Sequence, residues 1–338
     1  MLLFEKICED EKKVNRDLYT SGPYWSLKNI RAIREIREKG ILNFRGSGSS
    51  LGSSFTDNEV IDTRDMYSNK GRIFSKIFSL PLINKIFNDQ ISLTNNYLER
   101  YLQTLSVIYK SNENVIKLIG KYQFEDTTSH GCIKQFNFKN KLYSTHYLDT
   151  AHRMNILSDF FDFSKTNSLF EIGGGYGANI HFLLSNFTNI KKVIYLDIFP
   201  NIYIGTEYLR HHFGSSVKDY LDTVNLKKIR FSNNSNLEIL CIPPWEIEKL
   251  DVEIDHFHNA SSFVEMPKET ISNYCKFIKK FKIKEVSLLS YDGYDLNTTF
   301  DPQDLNNFFD NKLEIFWKDE LISDFNRKFI YLLGKNIK

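Results

Sequence analysis

The fold is decided by residues 168–184, which read SLFEIGGGYGANIHFLL. Residues 168–172 form a short apolar run that is typical of a buried strand, and a glycine-rich turn follows it directly. Residues 178–187 then place apolar side chains at the spacing of a helix with one buried face. A strand that enters a helix through glycines brings backbone N–H groups and the positive end of the helix dipole close to a ligand. The stretch therefore predicts a ligand site at the turn.

A second predicted strand, over residues 192–198, carries an acidic residue near its end. Asp197 follows Gly173 by 24 residues, an offset at which a carboxylate can accept hydrogen bonds from both hydroxyls of a ribose. The dinucleotide pattern G-x-G-x-x-G/A is formally satisfied by Gly173, Gly175 and Ala178. An NAD(P)-dependent oxidoreductase is therefore one interpretation of the turn.

A second class of cofactor site spaces three glycines as G-x-G-x-G and places an acid two residues before the first. Glu171, Gly173, Gly175 and Gly177 follow this pattern. A carboxylate next to the glycines suits a ligand that bears an ammonium group, and it repels a pyrophosphate. The acid therefore favours the second class, and a structural turn without a ligand is the remaining alternative.

Beyond the glycine turn, predicted strands and helices continue to alternate. Further strands are predicted over residues 237–242, 252–259 and 283–291, and helices over residues 145–161, 202–213 and 267–281. The last two predicted strands, 313–317 and 328–334, have no obvious helix between them and can pair as an antiparallel hairpin. Alternating elements indicate a mostly parallel sheet that is covered on both faces. We therefore predict a Rossmann-like α/β fold with a mostly parallel seven-stranded sheet and an antiparallel C-terminal hairpin.

The N-terminal part of the chain has a different character. Helical patterns cover residues 26–40, 73–87 and 91–109. Residues 45–55 read RGSGSSLGSSF, a composition that is typical of a surface loop. The sequence thus predicts a mainly helical region over residues 1–144 and an α/β domain over residues 145–338.

Composition and charge exclude several classes of protein. Hydrophobic residues make up 41% and charged residues 25% of the 338 residues, as in a globular chain rather than a disordered one. The 44 Lys and Arg nearly balance the 42 Asp and Glu, which argues against a nucleic-acid binder. No apolar run approaches the roughly 18 residues of a membrane helix, and the four scattered cysteines fit reduced thiols. We expect a cytoplasmic protein without a transmembrane segment.

Three blocks of the sequence resemble the class I S-adenosylmethionine-dependent methyltransferases. They are FEIGGGYGANIHFLL at 170–184, YLDIFPNIYIGTEYL at 195–209 and NASSFVEM at 259–266, with a weaker similarity in GPYW at 22–25 and GILNFRG at 40–46. The chain is most similar to bacterial sugar O-methyltransferases that are associated with surface-polysaccharide gene clusters. The resemblance implies a class I methyltransferase fold, S-adenosylmethionine as the cofactor and a sugar or sugar conjugate as a small-molecule acceptor. It also implies that the N-terminal region covers the acceptor site.

The resemblance also implies roles for individual residues. The methionyl part of the cofactor is expected on Glu171 and the turn residues Gly173, Gly174, Gly175, Tyr176 and Gly177. Asp197 is expected to bind the ribose hydroxyls, and Ile198 to pack on the adenine. Asn259 lies at the end of a strand, where ligands collect in open α/β sheets. Trp245 and Glu246, after the third predicted strand of the domain, are candidates for the adenine edge.

Methyl transfer to a hydroxyl requires a group that removes the hydroxyl proton. His258 and Glu265 are our first candidates for the catalytic residues. Further candidates are Asp292, His130, His146 and His152. The pair His256 and His258 also suggests a divalent metal, but a metal site needs a third and a fourth converging ligand, so we predict none. A protein that binds the cofactor without catalysis is the remaining alternative.

Overall fold

The computed structural model describes residues 2–19, 23–42, 44–45, 107–124, 130–131, 136–291, 304–319, 321 and 328–335. The segment 45–55, the helices predicted over 73–87 and 91–109, and Asp292 lie wholly or largely outside the described residues. The chain forms two compact units. The sheet unit comprises residues 1–33, 118–125 and 149–338, and the second unit comprises residues 34–117 and 126–148. The division predicted between residues 144 and 145 stays a prediction, since the compact units follow a different partition.

The described helices and strands have the following bounds. The helices are α1 (Leu2–Glu11), α2 (Arg16–Tyr19), α3 (Pro23–Lys39), α4 (Glu113–Lys121), α5 (Thr145–Phe160), α6 (Ala178–Asn186), α7 (Asn201–Phe213), α8 (Tyr220–Thr223), α9 (Lys268–Lys280) and α10 (Leu305–Phe308). The strands are β1 (Phe136–Phe138), β2 (Lys141–Tyr143), β3 (Ser168–Ile172), β4 (Lys192–Leu196), β5 (Val217–Lys218), β6 (Glu238–Ile242), β7 (His256–Ala260), β8 (Glu285–Tyr291), β9 (Glu314–Asp319) and β10 (Lys328–Lys335). Within the described residues, none of the helices has both the length and the apolar character that a membrane crossing requires.

The sheet unit is built on one sheet in the strand order β5-β6-β4-β3-β7-β8-β10-β9. Strand pairs are parallel from β5 to β8, whereas β10 is antiparallel to both β8 and β9. This topology confirms the predicted Rossmann-like α/β fold with its antiparallel C-terminal hairpin. The sheet has eight described strands instead of the predicted seven, because β5 extends its edge. A strand of two residues is too short to show a periodic pattern.

The position of β3 determines where a ligand site can form. All residues of β3 and β4 are buried, as expected for parallel strands that are covered on both faces. The chain continues from β3 to β4 on one side, and β7 pairs with β3 on the other side. In open α/β sheets, ligands bind beyond the carboxyl ends of the strands at such a reversal of strand order.

The first two helices pack within the sheet unit. Tyr19 at the end of α2 is buried in the same hydrophobic cluster as residues of β3, β4 and β7. The Thr270 hydroxyl donates to the backbone oxygen of Asp17 over 2.9 Å, and the Tyr220 hydroxyl donates to Asp10 Oδ2 over 2.9 Å. The core of the sheet unit therefore includes side chains from the start of the chain.

The second unit contains a small hairpin. Strands β1 and β2 pair antiparallel, with Phe138 opposite Lys141. The two residues between the strands, Lys139 and Asn140, have φ angles of 50° and 64°. Two successive residues with positive φ are the mark of a two-residue hairpin turn whose twist matches that of the strands.

Candidate functional site

The glycine turn between β3 and α6 has a fixed shape. Gly173, Gly175 and Gly177 have φ angles of 71°, 61° and 90°, in the left-handed region that favours glycine. The backbone N–H of Gly173 donates to the carbonyl of Leu196 over 2.8 Å, which ties the turn to the end of β4. A Cβ atom at Gly173 would lie 2.1 Å from the hydroxyl oxygen of Ser262. The turn therefore requires glycine both for its backbone angles and for its close neighbours.

Glu171 lies directly beneath this turn. The residue is fully buried, and in the sheet it is the neighbour of Tyr195 on one side and His258 on the other. Its Oε1 accepts a hydrogen bond of 2.6 Å from Asn179 Nδ2, and its Oε2 has no hydrogen-bond partner. A Cβ atom at Gly174 would lie 2.6 Å from this Oε2. Burial raises the pKa of Glu171 to about 7, although the bond from Asn179 opposes the shift.

Asp197 holds the turn from the end of β4. Its Oδ2 accepts from the backbone N–H of Gly175 over 2.8 Å, and its Oδ1 accepts from that of Ile198 over 2.7 Å. The neighbouring Tyr195 hydroxyl donates to the carbonyl of Gly175, and it also lies 3.1 Å from the carbonyl of Asn201. Burial raises the pKa of Asp197 to about 8, against the lowering effect of the two backbone bonds. Asp197 and the partly exposed Ile198 thus occupy the expected edge of the sheet.

Asn259 connects the loop after β7 to the end of β3. Its Nδ2 donates to the carbonyl of Ile172 over 2.9 Å and to the Ser262 hydroxyl over 2.6 Å. Its Oδ1 accepts from the backbone N–H of Phe263 over 3.1 Å. These bonds use both amide hydrogens, so the geometry gives Asn259 a bracing function. Its predicted contact with the cofactor stays a prediction.

His258 approaches Glu171 from within the sheet. Its Nδ1 lies 2.8 Å from the Ser287 hydroxyl, and its Nε2 lies 4.0 Å from Glu171 Oε1 without a hydrogen-bond partner. Burial lowers the pKa of His258 to about 3, and the neighbouring His256 acts in the same direction. The side chain is therefore a neutral imidazole. Its predicted function as a catalytic base stays a prediction.

Glu265, the second predicted catalytic residue, contacts the N-terminal helix α3. The indole N–H of Trp25 donates to Glu265 Oε2 over 2.7 Å. One helical turn further, Asn29 Nδ2 donates to the carbonyl of Phe199 over 2.8 Å. Phe199 follows Asp197 by two residues, so α3 bridges the segment after β4 and the segment after β7. Trp25 thus contacts a predicted catalytic residue at this edge of the sheet.

The two candidates for the adenine edge lie after β6. Trp245 is partly buried against the hydrophobic core, and its indole N–H donates to the Tyr220 hydroxyl over 3.2 Å. Glu246 is buried and forms an ion pair of 2.8 Å with Lys249. Burial raises the pKa of Glu246, and the lysine opposes the shift. Both side chains therefore have protein partners in the described structure, and their expected contacts with adenine stay predictions.

The remaining histidine candidates are divided between the two compact units. His152 Nε2 is 3.3 Å from the backbone oxygen of Asp319, which belongs to the C-terminal hairpin. His130 and His146 belong to the second unit. Across the described ranges, no group of three or more His, Cys, Asp or Glu side chains is arranged to hold a metal ion.

One edge of the sheet thus brings together most of the residues predicted to bind the cofactor. They are Glu171, Gly173, Gly174, Gly175, Tyr176, Gly177, Asp197, Ile198 and Asn259. Sequence reasoning missed Asn179, which orients the carboxylate of Glu171, and Asn29, which anchors α3. No sequence motif marks either asparagine as functional, because asparagine is common on the surfaces of helices.

No protein-family model and no curated protein sequence matches the chain. Solved structures of methyltransferases are similar to it at low identity. The mitomycin 7-O-methyltransferase MmcR is 11% identical with a TM-score of 0.36, and the match covers 56% of each chain. Magnesium protoporphyrin IX methyltransferase from Synechocystis PCC 6803, with bound SAM, is 10% identical with a TM-score of 0.36, over 56% of this chain and 80% of its own. The N-terminal domain of EvdMO1, in the presence of SAH and D-fucose, is 14% identical with a TM-score of 0.38, over 69% and 96%.

Proposed function

We propose that this protein is an S-adenosylmethionine-dependent O-methyltransferase that methylates a hydroxyl of a sugar or of a surface-polysaccharide precursor. The observation that supports this most strongly is the buried carboxylate of Glu171 beneath Gly174. One of its oxygens lacks a hydrogen-bond partner, which is costly for a buried polar atom. An ammonium group on a ligand would satisfy this oxygen and neutralise the charge of the carboxylate.

The residues around the turn fit S-adenosylmethionine better than a dinucleotide. Glu171 would hold the ammonium group, Asp197 the ribose hydroxyls, and Ile198 the adenine, with the backbone of the turn alongside. When bound, S-adenosylmethionine supplies a sulfonium methyl group as the electrophile. A pyrophosphate at the same turn would gain no opposite charge from Glu171 or Asp197, and either carboxyl would repel it when ionised.

Glu265 is the group that we propose takes the proton from the acceptor hydroxyl. It is buried at the carboxyl edge of the sheet, and the indole of Trp25 holds one of its oxygens in place. A base that is held in a single orientation aligns with its substrate at a low entropic cost. The contacts of His258 with Ser287 and Glu171 support a function in holding Glu171 rather than in contacting the acceptor.

The N-terminal region is proposed to cover the acceptor. Helix α3 supports this, since Trp25 and Asn29 connect it to the two segments that follow β4 and β7. The choice of a sugar as acceptor rests on the sequence blocks 195–209 and 259–266, which resemble sugar O-methyltransferases.

The proposal is tested by methyl transfer from labelled S-adenosylmethionine to a panel of nucleotide-linked sugars and polysaccharide precursors. We expect one acceptor to yield a methylated product and an equal amount of S-adenosylhomocysteine. Glu265→Gln should slow this turnover by roughly 100-fold, the usual effect of removing a general base. Glu207→Gln is the matched control, since Glu207 pairs with Arg210 on the outer helix α7.

Two outcomes would overturn the proposal. A protein that binds the cofactor but leaves every acceptor unmodified would be a binding protein without catalysis. Reduction of NAD(P) in the presence of an alcohol would instead identify an oxidoreductase.

A further inference from the structure

A chain of polar side chains crosses one face of the sheet and ends at Glu171. It begins at the amino edge of the sheet, where His256 Nδ1 lies 3.3 Å from Glu285 Oε2. The other ring nitrogen, His256 Nε2, lies 2.7 Å from the hydroxyl of Ser287. The same hydroxyl lies 2.8 Å from His258 Nδ1, and His258 Nε2 lies 4.0 Å from Glu171 Oε1. The turn is thereby connected to the opposite edge of the sheet.

Strand register explains this alignment. His258 is paired with Glu171 of β3 and with Ser287 of β8, and His256 is paired with Glu285. Paired residues of neighbouring strands project to the same face of a sheet, so their side chains meet. Four of the five side chains, those of Glu171, His256, His258 and Ser287, are almost completely buried.

Donor and acceptor chemistry and distance assign a direction to each hydrogen bond. The Ser287 hydroxyl has two acceptors within reach, His256 Nε2 at 2.7 Å and the carbonyl of Phe257 at 3.5 Å, and the shorter distance favours the histidine. A quarter of the Glu285 side chain is exposed, and its carboxylate accepts a hydrogen from Nδ1 of His256. Burial lowers the pKa of His256, so the ring is neutral and its Nε2 accepts the hydroxyl hydrogen of Ser287. Having donated its one hydrogen, this hydroxyl accepts from Nδ1 of His258. The neutral His258 then presents the lone pair of its Nε2 to Glu171.

We propose that His258 is a positioning residue that keeps Glu171 protonated in the unliganded protein, and that a cationic ligand binds by displacing this proton. If Glu171 were ionised, its carboxylate oxygen and the lone pair of His258 Nε2 would be two acceptors that face each other in a buried site. A protonated Glu171 supplies the hydrogen that a bond between them requires. This inference rests on the proposed function for the identity of the cation, the ammonium group of S-adenosylmethionine.

Among the other groups around Glu171, Asp197 acts in the same direction and Asn179 acts against it. The titratable side chains that face it within the described structure are Tyr195 from β4, Asp197 from the end of β4 and His258 from β7. Burial raises the pKa of Asp197 to about 8, and its coulombic interaction with Glu171 disfavours the ionisation of both carboxyls together. Asn179 from α6 donates one hydrogen bond to Oε1 and leaves Oε2 without a partner.

The same chain offers the displaced proton a route to water. As the proton leaves Glu171 Oε1 and joins His258 Nε2, the Nδ1 proton of that ring passes to the Ser287 hydroxyl. The original hydroxyl proton passes to His256 Nε2, and the Nδ1 proton of His256 passes to Glu285. Every N–H or O–H bond that breaks is replaced by one that forms, and the net result is one proton moved from Glu171 to Glu285. For the first transfer, the distance of 4.0 Å between Glu171 Oε1 and His258 Nε2 must shorten to that of a hydrogen bond.

The test is calorimetric binding of S-adenosylhomocysteine in buffers of different ionisation enthalpy between pH 6 and pH 8. With the pKa of Glu171 at about 7, this one residue should contribute the release of about half a proton at pH 7 and nearly one at pH 6. Its affinity should fall about tenfold from pH 8 to pH 6. Ser287→Ala frees the ring of His258 to carry hydrogen on Nε2, which stabilises ionised Glu171. We expect this variant to release about half a proton less than wild type at pH 7, because only the contribution of Glu171 is lost.

Ser290→Ala is the matched control, since Ser290 is a buried serine on the opposite face of β8. It should retain the proton release of wild type. Equal proton release in Ser287→Ala and wild type, or binding by wild type without proton release, would overturn the inference and leave the proposed function intact. Absence of binding at every pH would instead overturn the proposed function. Nitrogen NMR of the unliganded protein tests the inference independently of any ligand, because it predicts that His258 carries hydrogen on Nδ1 and not on Nε2.

Discussion

The carboxylate of Asp197 accepts a hydrogen bond of 2.8 Å from the backbone N–H of Gly175, and so joins the end of β4 to the turn that follows β3. Its other oxygen accepts from the backbone N–H of Ile198 over 2.7 Å. The side chain of Asn201 also bonds to this carboxylate. A carboxylate has about four acceptor positions, so these bonds leave room for about one hydroxyl donor. Asp197 therefore already holds the turn in the unliganded protein.

Replacement of Asp197 by alanine is expected to weaken the binding of S-adenosylhomocysteine at least tenfold, which corresponds to about 1.4 kcal/mol. The variant loses both the acceptor for the ribose hydroxyls and the bond that holds Gly175. Titration calorimetry measures this effect. An affinity equal to that of wild type would show that Asp197 does not contact the ligand.

Replacement of Gly174 by alanine should weaken the binding of S-adenosylhomocysteine by displacing the carboxylate of Glu171. The new Cβ atom would lie 2.6 Å from Glu171 Oε2, and the carboxylate would have to turn away from the ligand. We expect an affinity for S-adenosylhomocysteine that is lower by more than about tenfold. Gly120→Ala is the control, because a Cβ atom at Gly120 has no neighbour within 4 Å. Equal affinities of the two variants would contradict the position given to Glu171.

The unliganded protein is expected to lose stability as the pH rises from about 6.5 to 8. Burial raises the pKa of Glu171 to about 7 and that of Asp197 to about 8, so the folded state binds their protons more tightly than the unfolded state. Below about pH 6.5, the lowered pKa values of His256 and His258 oppose this trend. Integrating the two carboxyls over this window gives a fall of about 2 kcal/mol in the free energy of unfolding.

Denaturant unfolding of wild type and Glu171→Gln at the two pH values measures this loss. The variant lacks one of the two titrating carboxyls and should show a smaller decrease. A wild-type stability that is constant or rises over this interval would contradict the assignment of two buried, protonated carboxyls.

Replacement of Trp25 by phenylalanine should lower kcat about tenfold while the affinity for S-adenosylhomocysteine stays unchanged. The variant keeps an aromatic ring but loses the indole N–H that donates to Glu265 Oε2. Trp317→Phe, on the outer strand β9, is the matched control and should behave as wild type. A loss of cofactor affinity without a change in kcat would place Trp25 on the cofactor side of the site.

Local patterns were sufficient to predict the sheet and the turn. The strand, the glycines and Asp197 each have a signature within a few residues, because positive φ angles and buried strands restrict the choice of residue type. The same reasoning identified Glu171 by its spacing from Gly173. It did not reveal β5, which is only two residues long.

The contacts that give the site its chemistry depend on distant parts of the chain. Trp25 and Glu265 are 240 residues apart, and His258 meets Ser287 only because β7 and β8 pair in one particular register. Shifting a strand by one residue would turn these side chains to the other face of the sheet. No local pattern contains such information. The sequence therefore predicted His258 as a base without its contacts with Ser287 and Glu171, and its function as a base stays a prediction.

The central claim is that Glu171 and the glycine turn bind S-adenosylmethionine. The most direct test is calorimetric titration of wild type and Glu171→Gln with S-adenosylmethionine, S-adenosylhomocysteine and NAD. We expect micromolar binding of the first two ligands to wild type, binding weakened at least tenfold in the variant, and no binding of NAD. Binding of NAD alone, or equal binding of S-adenosylmethionine by both proteins, would contradict the claim.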